Sequence, residues 1–118
     1  MKPIRQLAFV VNRNKAGAPG IARELAAVAR AAGVRLKQTS RFPLPAGYLK
    51  GMDACCVIGC DGTLLGAARE SARHQVPLIG VNRGSLGFLT TLSAEEARGR
   101  FPDLLAGQFR VDQRTMLD

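Results

Sequence analysis

Residues 59–63 read Gly-Cys-Asp-Gly-Thr, and these residue types are suited to binding phosphate groups. Gly59 and Gly62 allow the backbone to approach a phosphate, and a following helix adds unpaired N–H groups and partial positive charge. Thr63 can cap that helix or donate its hydroxyl to a phosphate oxygen. Asp61 is a carboxylate beside this cradle, where it can bind a metal, hold a ribose hydroxyl or remove its proton. The alternative is a turn or helix cap formed by Asp61 without any ligand.

A second glycine-rich segment, at residues 82–90, follows a short apolar run. Asn82 can hydrogen-bond a hydroxyl or an amide, and Gly84 and Gly87 permit a tight path that turns Phe88 toward a cleft. The alternative is an asparagine turn with Phe88 in the core. If the two preceding strands are sheet neighbours, the two glycine-rich segments meet, and together they favour a binding site.

The rest of the chain alternates between strand-like and helix-like patterns. Short apolar runs predict strands at residues 7–11, 34–38, 54–58, 76–81 and 109–111. Apolar residues at helical spacing predict helices at 21–32, at 64–74 and from about 94 to 106. The strand at 34–38 alternates in polarity, which favours a place near the sheet edge. This order predicts an α/β fold, a Rossmann-like three-layer αβα sandwich with a mainly parallel sheet.

Several boundaries carry their own signals. Gly33 and Gly107 are expected to end helices, because glycine readily adopts the left-handed conformation found there. Ser93 and Glu96 form a capping-box pattern at the start of the last helix, and Pro102 predicts a break or a fresh first turn within it. The glycine-rich segments follow strands, and ligands of parallel sheets bind at the carboxyl ends of strands.

The chain has 118 residues, 47% of them apolar, with 17 basic against 9 acidic residues and a net charge of +8. This length predicts one domain with its own core. The basic residues are spread along the chain and are not interleaved with aromatic residues, so we expect no nucleic-acid partner. A diffuse positive field suits anionic nucleotides instead. No apolar run approaches the ~20 residues of a membrane helix, and the N-terminus does not resemble a signal peptide, so we expect a cytoplasmic protein without a membrane partner.

Single residues outside the glycine-rich segments give weaker indications. Cys55 and Cys56 lie in an apolar run and are interpreted as small buried hydrophobes. His74 falls, like Glu70, on the polar side of its helix, which favours a solvated surface residue over a base. Lys15 could reach a phosphate, although a solvated loop lysine is the simpler interpretation. The three cysteines have neither zinc-ligand nor disulfide spacing, so no metal site built from protein ligands is expected.

Two stretches of the chain together resemble bacterial NAD kinases. Residues 57–69 read Val-Ile-Gly-Cys-Asp-Gly-Thr-Leu-Leu-Gly-Ala-Ala-Arg, and residues 77–90 read Pro-Leu-Ile-Gly-Val-Asn-Arg-Gly-Ser-Leu-Gly-Phe-Leu-Thr. The family hallmarks are a Gly-Gly-Asp-Gly-Thr loop and an Asn-x-Gly-x-Leu-Gly-Phe-Leu segment. The first motif is shared with diacylglycerol and sphingosine kinases, whereas the second is more specific to NAD kinases. The resemblance is firm over 54–118 and weaker over 1–53, where only the order of strand, loop and helix agrees.

The resemblance implies transfer of a phosphoryl group from ATP or polyphosphate to the 2′-hydroxyl of the adenosine ribose of NAD, which gives NADP. It implies that Asp61 binds the ribose hydroxyls and acts as general base, with Gly62 beside it in the NAD site. It places residues 59–63 near the phosphates, Asn82 in the nucleotide site, and Phe88 near the adenine or ribose. Mg²⁺ or another divalent cation would neutralise the phosphates, and the full-length protein would be a homo-oligomer.

Two departures from the family pattern affect what we expect of the chain. Cys60 replaces the second glycine of the first motif, which strains or reshapes the loop if that position requires a positive φ. NAD kinases resemble one another over two domains, and the second, a β-rich domain, supplies an Asn-Glu or Asn-Asp pair and much of the NAD pocket. We therefore expect residues 1–118 to be the N-terminal α/β nucleotide-binding domain, without the C-terminal β-rich domain, and to be weak or inactive alone. The alternatives are a lipid kinase of the diacylglycerol or sphingosine class and a non-catalytic nucleotide-binding module.

Overall fold

The computed structural model describes residues 3–41, 44–59, 61–82 and 92–107, with the backbone alone at 61–65 and at Asn82. Within these residues, strands alternate with helices much as the sequence predicts. The elements in chain order are β1 (Gln6–Val11), α1 (Ala18–Ala31), β2 (Arg35–Thr39), β3 (Ala54–Gly59), α2 (Asp61–His74), β4 (Leu78–Asn82), β5 (Leu92–Ser93) and α3 (Ala94–Leu105). The two-residue strand β5 has no counterpart among the predicted strands.

The strands form one sheet in the order β2-β1-β3-β4-β5, and neighbouring strands in the described part of the chain run parallel. β2 lies at one edge, as its alternating polarity predicts. α1 and α3 pack against one face of the sheet, and α2 packs against the other. The predicted α/β class and the three-layer arrangement are therefore confirmed.

The core lies on both faces of the sheet, because successive residues of a strand point to opposite sides. Phe9 of β1 packs against Phe101 of α3, with ring centroids 6.3 Å apart. Val10 points the other way, into a cluster that contains Leu49 and Ala67. All of these side chains are completely buried. The sheet is thus covered on both faces and forms a rigid platform for the loops at its ends.

The adjacent cysteines of β3 divide between the two faces. Cys56 belongs to the cluster under α1 and α3, and Cys55 belongs to the cluster under α2. Burial raises the pKa of the Cys55 thiol to about 12 and raises the pKa of the Cys56 thiol well above its ordinary value. The interpretation of both residues as small buried hydrophobes is confirmed.

Helix α1 begins earlier than predicted and ends where predicted. Its first residue is Ala18 rather than Ile21, and Pro19 lies in its first turn. Proline fits there because its fixed φ is helical and the N–H that it lacks has no partner in a first turn. Gly33 and Gly107, which follow α1 and α3, have φ of +83° and +86°, so the predicted glycine caps are confirmed.

Helix α3 begins as predicted and continues through Pro102. Ser93 Oγ accepts from the Glu96 N–H at 3.1 Å, and Glu96 Oε1 accepts from the Ser93 N–H at 2.9 Å, so the capping box is confirmed. The predicted break at Pro102 is wrong, because the helix runs on past it. Proline removes only the bond to the carbonyl of Arg98, which is an exposed residue where water can replace it.

Strand β4 starts two residues later than the predicted strand. Pro77 lies just before it, and its carbonyl accepts from the Cys55 N–H at 2.9 Å, so the chain is already aligned with β3 there. The predicted strand at 109–111 lies outside the described residues.

Candidate functional site

The order of the strands creates a crevice at the carboxyl edge of the sheet. The chain goes from β1 outward to β2, then crosses to the other side of β1 for β3, β4 and β5. Such a reversal separates the loops that follow the two central strands, and ligands of open α/β sheets bind in the crevice between them. The two central strands here are β1 and β3, which pair with Val11 opposite Ile58 near their carboxyl ends. The topology therefore favours the segment after Gly59 as part of a binding edge.

A series of turns fixes the loop that follows β1. The Asn12 N–H donates to the Ile58 carbonyl at 2.9 Å, which extends the pairing of β1 and β3. Asn12 Oδ1 accepts from the Asn14 N–H at 3.0 Å, and the Asn12 carbonyl accepts from the Lys15 N–H at 3.0 Å. The Lys15 carbonyl in turn accepts from the Ala18 N–H at 3.1 Å. These local bonds hold the path from β1 into α1, so one wall of the crevice is ordered without a ligand.

The predicted base stands at the first position of α2. β3 ends at Gly59 and α2 begins at Asp61, so Gly62 and Thr63 belong to the first helical turn and not to a loop before it. The N–H groups of a first turn lack partners within the helix and carry partial positive charge. Because β3 leads directly into α2, this turn lies at the carboxyl edge of the sheet. Cys60 and the side chains at the start of α2 lie outside the described part of the chain.

Asn82 is placed beside Gly59 by the pairing of β3 with β4. On its other side it pairs with Ser93 of β5, which is the N-cap of α3. The strands that precede the two glycine-rich segments are therefore neighbours, which is the condition under which those segments were expected to meet. Phe88 and the rest of the second segment lie outside the described residues.

Each helix in the described part of the chain begins at this same edge. α1 follows β1, α2 follows β3, and α3 follows β5. Helix N-termini carry partial positive charge and unpaired N–H groups, so they attract anions such as phosphate. The edge that holds Gly59, Asp61 and Asn82 is therefore electrostatically suited to a phosphorylated ligand.

A cleft of about 490 Å³ opens at the carboxyl edge on the side of β2. Arg13 from the loop after β1, Arg23 from α1 and Arg41 from the chain after β2 line it, together with uncharged residues. Sequence reasoning missed this group because the arginines are 10 and 18 residues apart and come together only in the fold. The available signal was that Arg13 and Arg41 each come two residues after the end of a parallel strand.

The polar side of α2 is less exposed than predicted. Glu70 is only 7% exposed, and its Oε2 lies 2.9 Å from His74 Nε2. Glu70 is buried although it lies on the polar side of α2, because the chain folds back against α2 after the helix ends. There the Val76 N–H donates to the Ser71 carbonyl at 3.0 Å, and Ser71 Oγ donates to the Val76 carbonyl. His74 ends α2 at the opposite pole from Asp61, so it is not part of the site.

No group of three His, Cys, Asp or Glu side chains that could hold a metal ion occurs among the described residues. Within the same residues, no helix is long and apolar enough to cross a membrane.

The chain is similar to known proteins over the region that contains both glycine-rich segments. The family model that matches residues 44–109 is the ATP-NAD kinase N-terminal domain. An NAD kinase of Cupriavidus pinatubonensis (strain JMP 134 / LMG 1197) is 37% identical over 127 aligned residues, which cover 98% of this chain and 42% of that protein. An NAD kinase of Cellvibrio japonicus (strain Ueda107) is 41% identical over 96 residues, covering 80% of this chain and 32% of that protein. An NAD kinase of Pseudomonas aeruginosa (strain UCBPP-PA14) is 50% identical over 66 residues, covering 56% of this chain and 22% of that protein.

The chain thus spans between about a fifth and about two fifths of the length of these curated relatives. The family match includes β3, the start of α2 at Asp61 and the end of β4 at Asn82, which the fold brings to one edge of the sheet. Because the match covers more than half of the chain and coincides with this edge, the chain belongs to the ATP-NAD kinase family.

Proposed function

We propose that this chain forms the phosphate-binding edge and supplies the general base of an NAD kinase. The reaction transfers a phosphoryl group from ATP or polyphosphate to the 2′-hydroxyl of the adenosine ribose of NAD, giving NADP. The observation that carries the proposal is the start of α2 at Asp61, directly after a buried parallel strand, in a chain of the NAD kinase family. The relatives compared above are themselves named NAD kinase.

Asp61 is proposed as the residue that holds the ribose hydroxyls and accepts the proton of the attacking 2′-hydroxyl. The partial positive charge of a helix N-terminus favours an ionised carboxylate, which is the form that accepts a proton. A general base of this kind contributes about 10²–10⁴ in rate. The position of Asp61 at the start of α2 therefore supports its role as general base.

The glycines and Thr63 are proposed to bind the phosphates around the transferred group. Gly59 ends β3 and leaves room for a close approach, while Gly62 and Thr63 lie in the first turn of α2. Backbone N–H groups of such a turn point toward an anion at the helix N-terminus. Phosphoryl transfer needs mainly positioning and charge stabilisation, which this arrangement can supply.

Asn82 and Phe88 are proposed to contact the nucleoside of NAD. The backbone of Asn82 lies one strand away from Gly59, a separation of about 4.8 Å between neighbouring strands, and an amide is a side chain that can hydrogen-bond a ribose hydroxyl. Phe88 follows six residues later in the chain, and its ring suits packing against the adenine or ribose. Mg²⁺, bound together with the donor phosphates, would supply additional charge neutralisation.

Activity is proposed to require more protein than this chain contains. The chain aligns with at most 42% of the length of the relatives described above. A C-terminal β-rich domain would complete the NAD pocket, and the complete protein would be a cytoplasmic homo-oligomer. The 118-residue chain alone is then expected to bind nucleotides and to form little or no NADP.

The proposal is tested with a chimaera in which this chain replaces the aligned N-terminal part of the Cupriavidus NAD kinase. NADP formation is measured with ATP and with polyphosphate as donors, for the chimaera and for the chain alone. The proposal predicts NADP from the chimaera and little from the chain. A folded chimaera that makes no NADP with either donor would contradict it, and efficient turnover by the chain alone would contradict the need for a second domain.

A further inference from the structure

We propose that the cleft between β1, α1 and β2 binds the non-reacting phosphates of an oligophosphate phosphoryl donor. The identity of the reaction rests on the proposed function, whereas the binding of an oligophosphate is tested independently of it. The cleft measures about 490 Å³ and is lined by Arg13, Arg23 and Arg41. Guanidinium groups bind phosphate oxygens through paired N–H donors, so three of them suit a ligand with several phosphates.

The positive charge of the cleft is not neutralised by the residues around it. The described residues that line the cleft include no Asp or Glu, and among these residues no ion pair joins any of its arginines to an acid. Glu24, which follows Arg23 in sequence, binds Arg98 of α3 instead, with Oε2 2.5 Å from Arg98 Nε. That bond lowers the pKa of the Glu24 carboxyl, and its negative charge pairs with Arg98 rather than with an arginine of the cleft. Within the described part of the chain, the three arginines of the cleft therefore have no acidic partner to offset their positive charge.

Local structure directs two of the arginines into the cleft. The Arg41 N–H donates to Thr39 Oγ1 at 3.2 Å, which turns the chain just after β2. A Cβ atom at Gly20 would lie 3.9 Å from Arg23 Nη2, so the Arg23 side chain lies back along α1 toward its first turn. Pro19, one turn before Arg23, lines the same cleft. Both residues thus line the cleft near the carboxyl edge of the sheet.

The third arginine comes from the wall of the crevice. Arg13 stands between Asn12 and Asn14, whose turn is closed by the 3.0 Å bond from the Asn14 N–H to Asn12 Oδ1. The same Asn12 bonds through its N–H to Ile58 of β3. Arg13 therefore sits between the cleft beside β2 and the edge where β3 leads into α2. An oligophosphate bound in the cleft would therefore extend past Arg13 toward the edge where α2 begins.

The size and lining of the cleft favour a small polyanion over a nucleic acid. Its volume lies within the range of about 300–1,000 Å³ that is common for small-molecule sites. Among the described residues, no aromatic side chain lines it, whereas single-stranded nucleic acids are bound by stacking of bases on aromatic residues. Inorganic polyphosphate and the triphosphate of ATP share the chemistry that this cleft recognises, and donor kinetics distinguish between them.

The direct test measures binding of inorganic triphosphate to the 118-residue chain by titration calorimetry at low ionic strength. Arg13→Gln, Arg23→Gln and Arg41→Gln are each expected to weaken binding about tenfold, because each removes a charge-assisted contact. Arg30→Gln is the matched control, since Arg30 is exposed on α1 but does not line the cleft. Its affinity is expected to stay within about twofold of wild type. Circular dichroism shows whether each variant is folded.

Equal losses in Arg30→Gln and in the cleft variants would overturn the proposal, because binding would then reflect only the general positive field. Unchanged binding in all cleft variants would overturn it as well. In the chimaera, cleft variants are expected to raise the KM for the donor and leave the KM for NAD unchanged. A rise in the KM for NAD alone would overturn the assignment to the donor.

The donor arm of the experiment identifies the source of the phosphates. If the cleft variants raise the KM for ATP, for polyphosphate or for both, the result supports donor binding in the cleft. The donors whose KM rises are then its ligands. A chimaera that forms no NADP would contradict the proposed function. The titration with triphosphate would still show whether the cleft binds an oligophosphate. The two proposals therefore fail separately.

Discussion

Gly59 and Asn82 are register partners at the last positions of two adjacent parallel strands. This pairing brings the two glycine-rich segments of the chain to one edge of the sheet, although 23 positions separate the two residues in sequence. Backbone hydrogen bonds of β3 and β4 fix the relationship, so it does not depend on a bound ligand.

The pairing of Asn82 with Gly59 predicts a role in binding the acceptor. In the chimaera, Asn82→Ala is expected to raise the KM for NAD about two- to tenfold, because a single uncharged hydrogen bond is worth about 0.5–1.5 kcal/mol. The KM for the donor is expected to change little. Steady-state kinetics with each substrate varied separately measure both values. A rise in the KM for the donor alone would contradict the proposed contact between Asn82 and NAD.

The capping box of α3 predicts an effect on stability. Ser93→Ala removes the bond from Ser93 Oγ to the Glu96 N–H and is expected to lower the free energy of unfolding by about 1 kcal/mol. Urea denaturation of the chain measures this loss, with Ser93→Thr as the control that keeps a capping hydroxyl. A loss in Ser93→Thr as large as that in Ser93→Ala would argue against the cap.

Glu96 gives the same cap a dependence on pH. Its carboxylate accepts from the Ser93 N–H, and this bond lowers the pKa of Glu96 from its ordinary 4.5. A lowered pKa in the folded chain means that the stabilisation is present above pH 4.5 and is lost as the pH falls through the folded value. The stability difference between wild type and Glu96→Gln is therefore expected to shrink in acid, and urea titrations across this range measure it. A difference that stays constant with pH would contradict the titration of this group.

The contact between Phe9 and Phe101 predicts that α3 is required to complete the core. Both rings are fully buried and stack with centroids 6.3 Å apart. Phe101→Ala is expected to cost about 3–5 kcal/mol of unfolding free energy, whereas Phe101→Leu is expected to cost less because it leaves a smaller cavity. Thermal and urea unfolding measure both. An unchanged midpoint in Phe101→Ala would mean that α3 does not pack as described.

The buried cysteines predict a simple thiol-labelling result. Because burial raises the pKa of Cys55 to about 12 and that of Cys56 well above its ordinary value, neither forms an appreciable amount of thiolate at neutral pH. A native Cys60→Ser variant is therefore expected to resist a disulfide reagent and to react at both remaining thiols only when unfolded. Rapid labelling of this native variant would contradict the burial of β3.

Strand positions and glycine caps could be predicted from sequence because their signals are local. The apolar run of β3 and the glycine at position 33 each depend on a few neighbouring residues, and both predictions are confirmed. The sequence pattern predicts later starts for α1 and α2 than the structure has, because Pro19 and Gly62 suggest a loop when read without their context. In a first helical turn neither residue breaks a helical hydrogen bond.

The arginine cleft could not be predicted for a different reason. Arg13, Arg23 and Arg41 come from a loop, a helix and a strand end, and their meeting depends on β2 lying next to β1. Pairing between strands is a long-range property that periodicity does not reveal. The family resemblance, in turn, rests on residues 57–69 and 77–90, which lie away from these arginines in sequence.

The most direct test of the account is the effect of Asp61→Asn on NADP formation by the chimaera. We predict a fall in kcat of at least about 100-fold, since the amide cannot accept the proton of the 2′-hydroxyl, with NAD binding largely retained. Asp103→Asn, an exposed position on α3, is the matched control and is expected to keep wild-type kcat. A kcat for Asp61→Asn equal to that of Asp103→Asn would contradict the assignment of Asp61 as the general base.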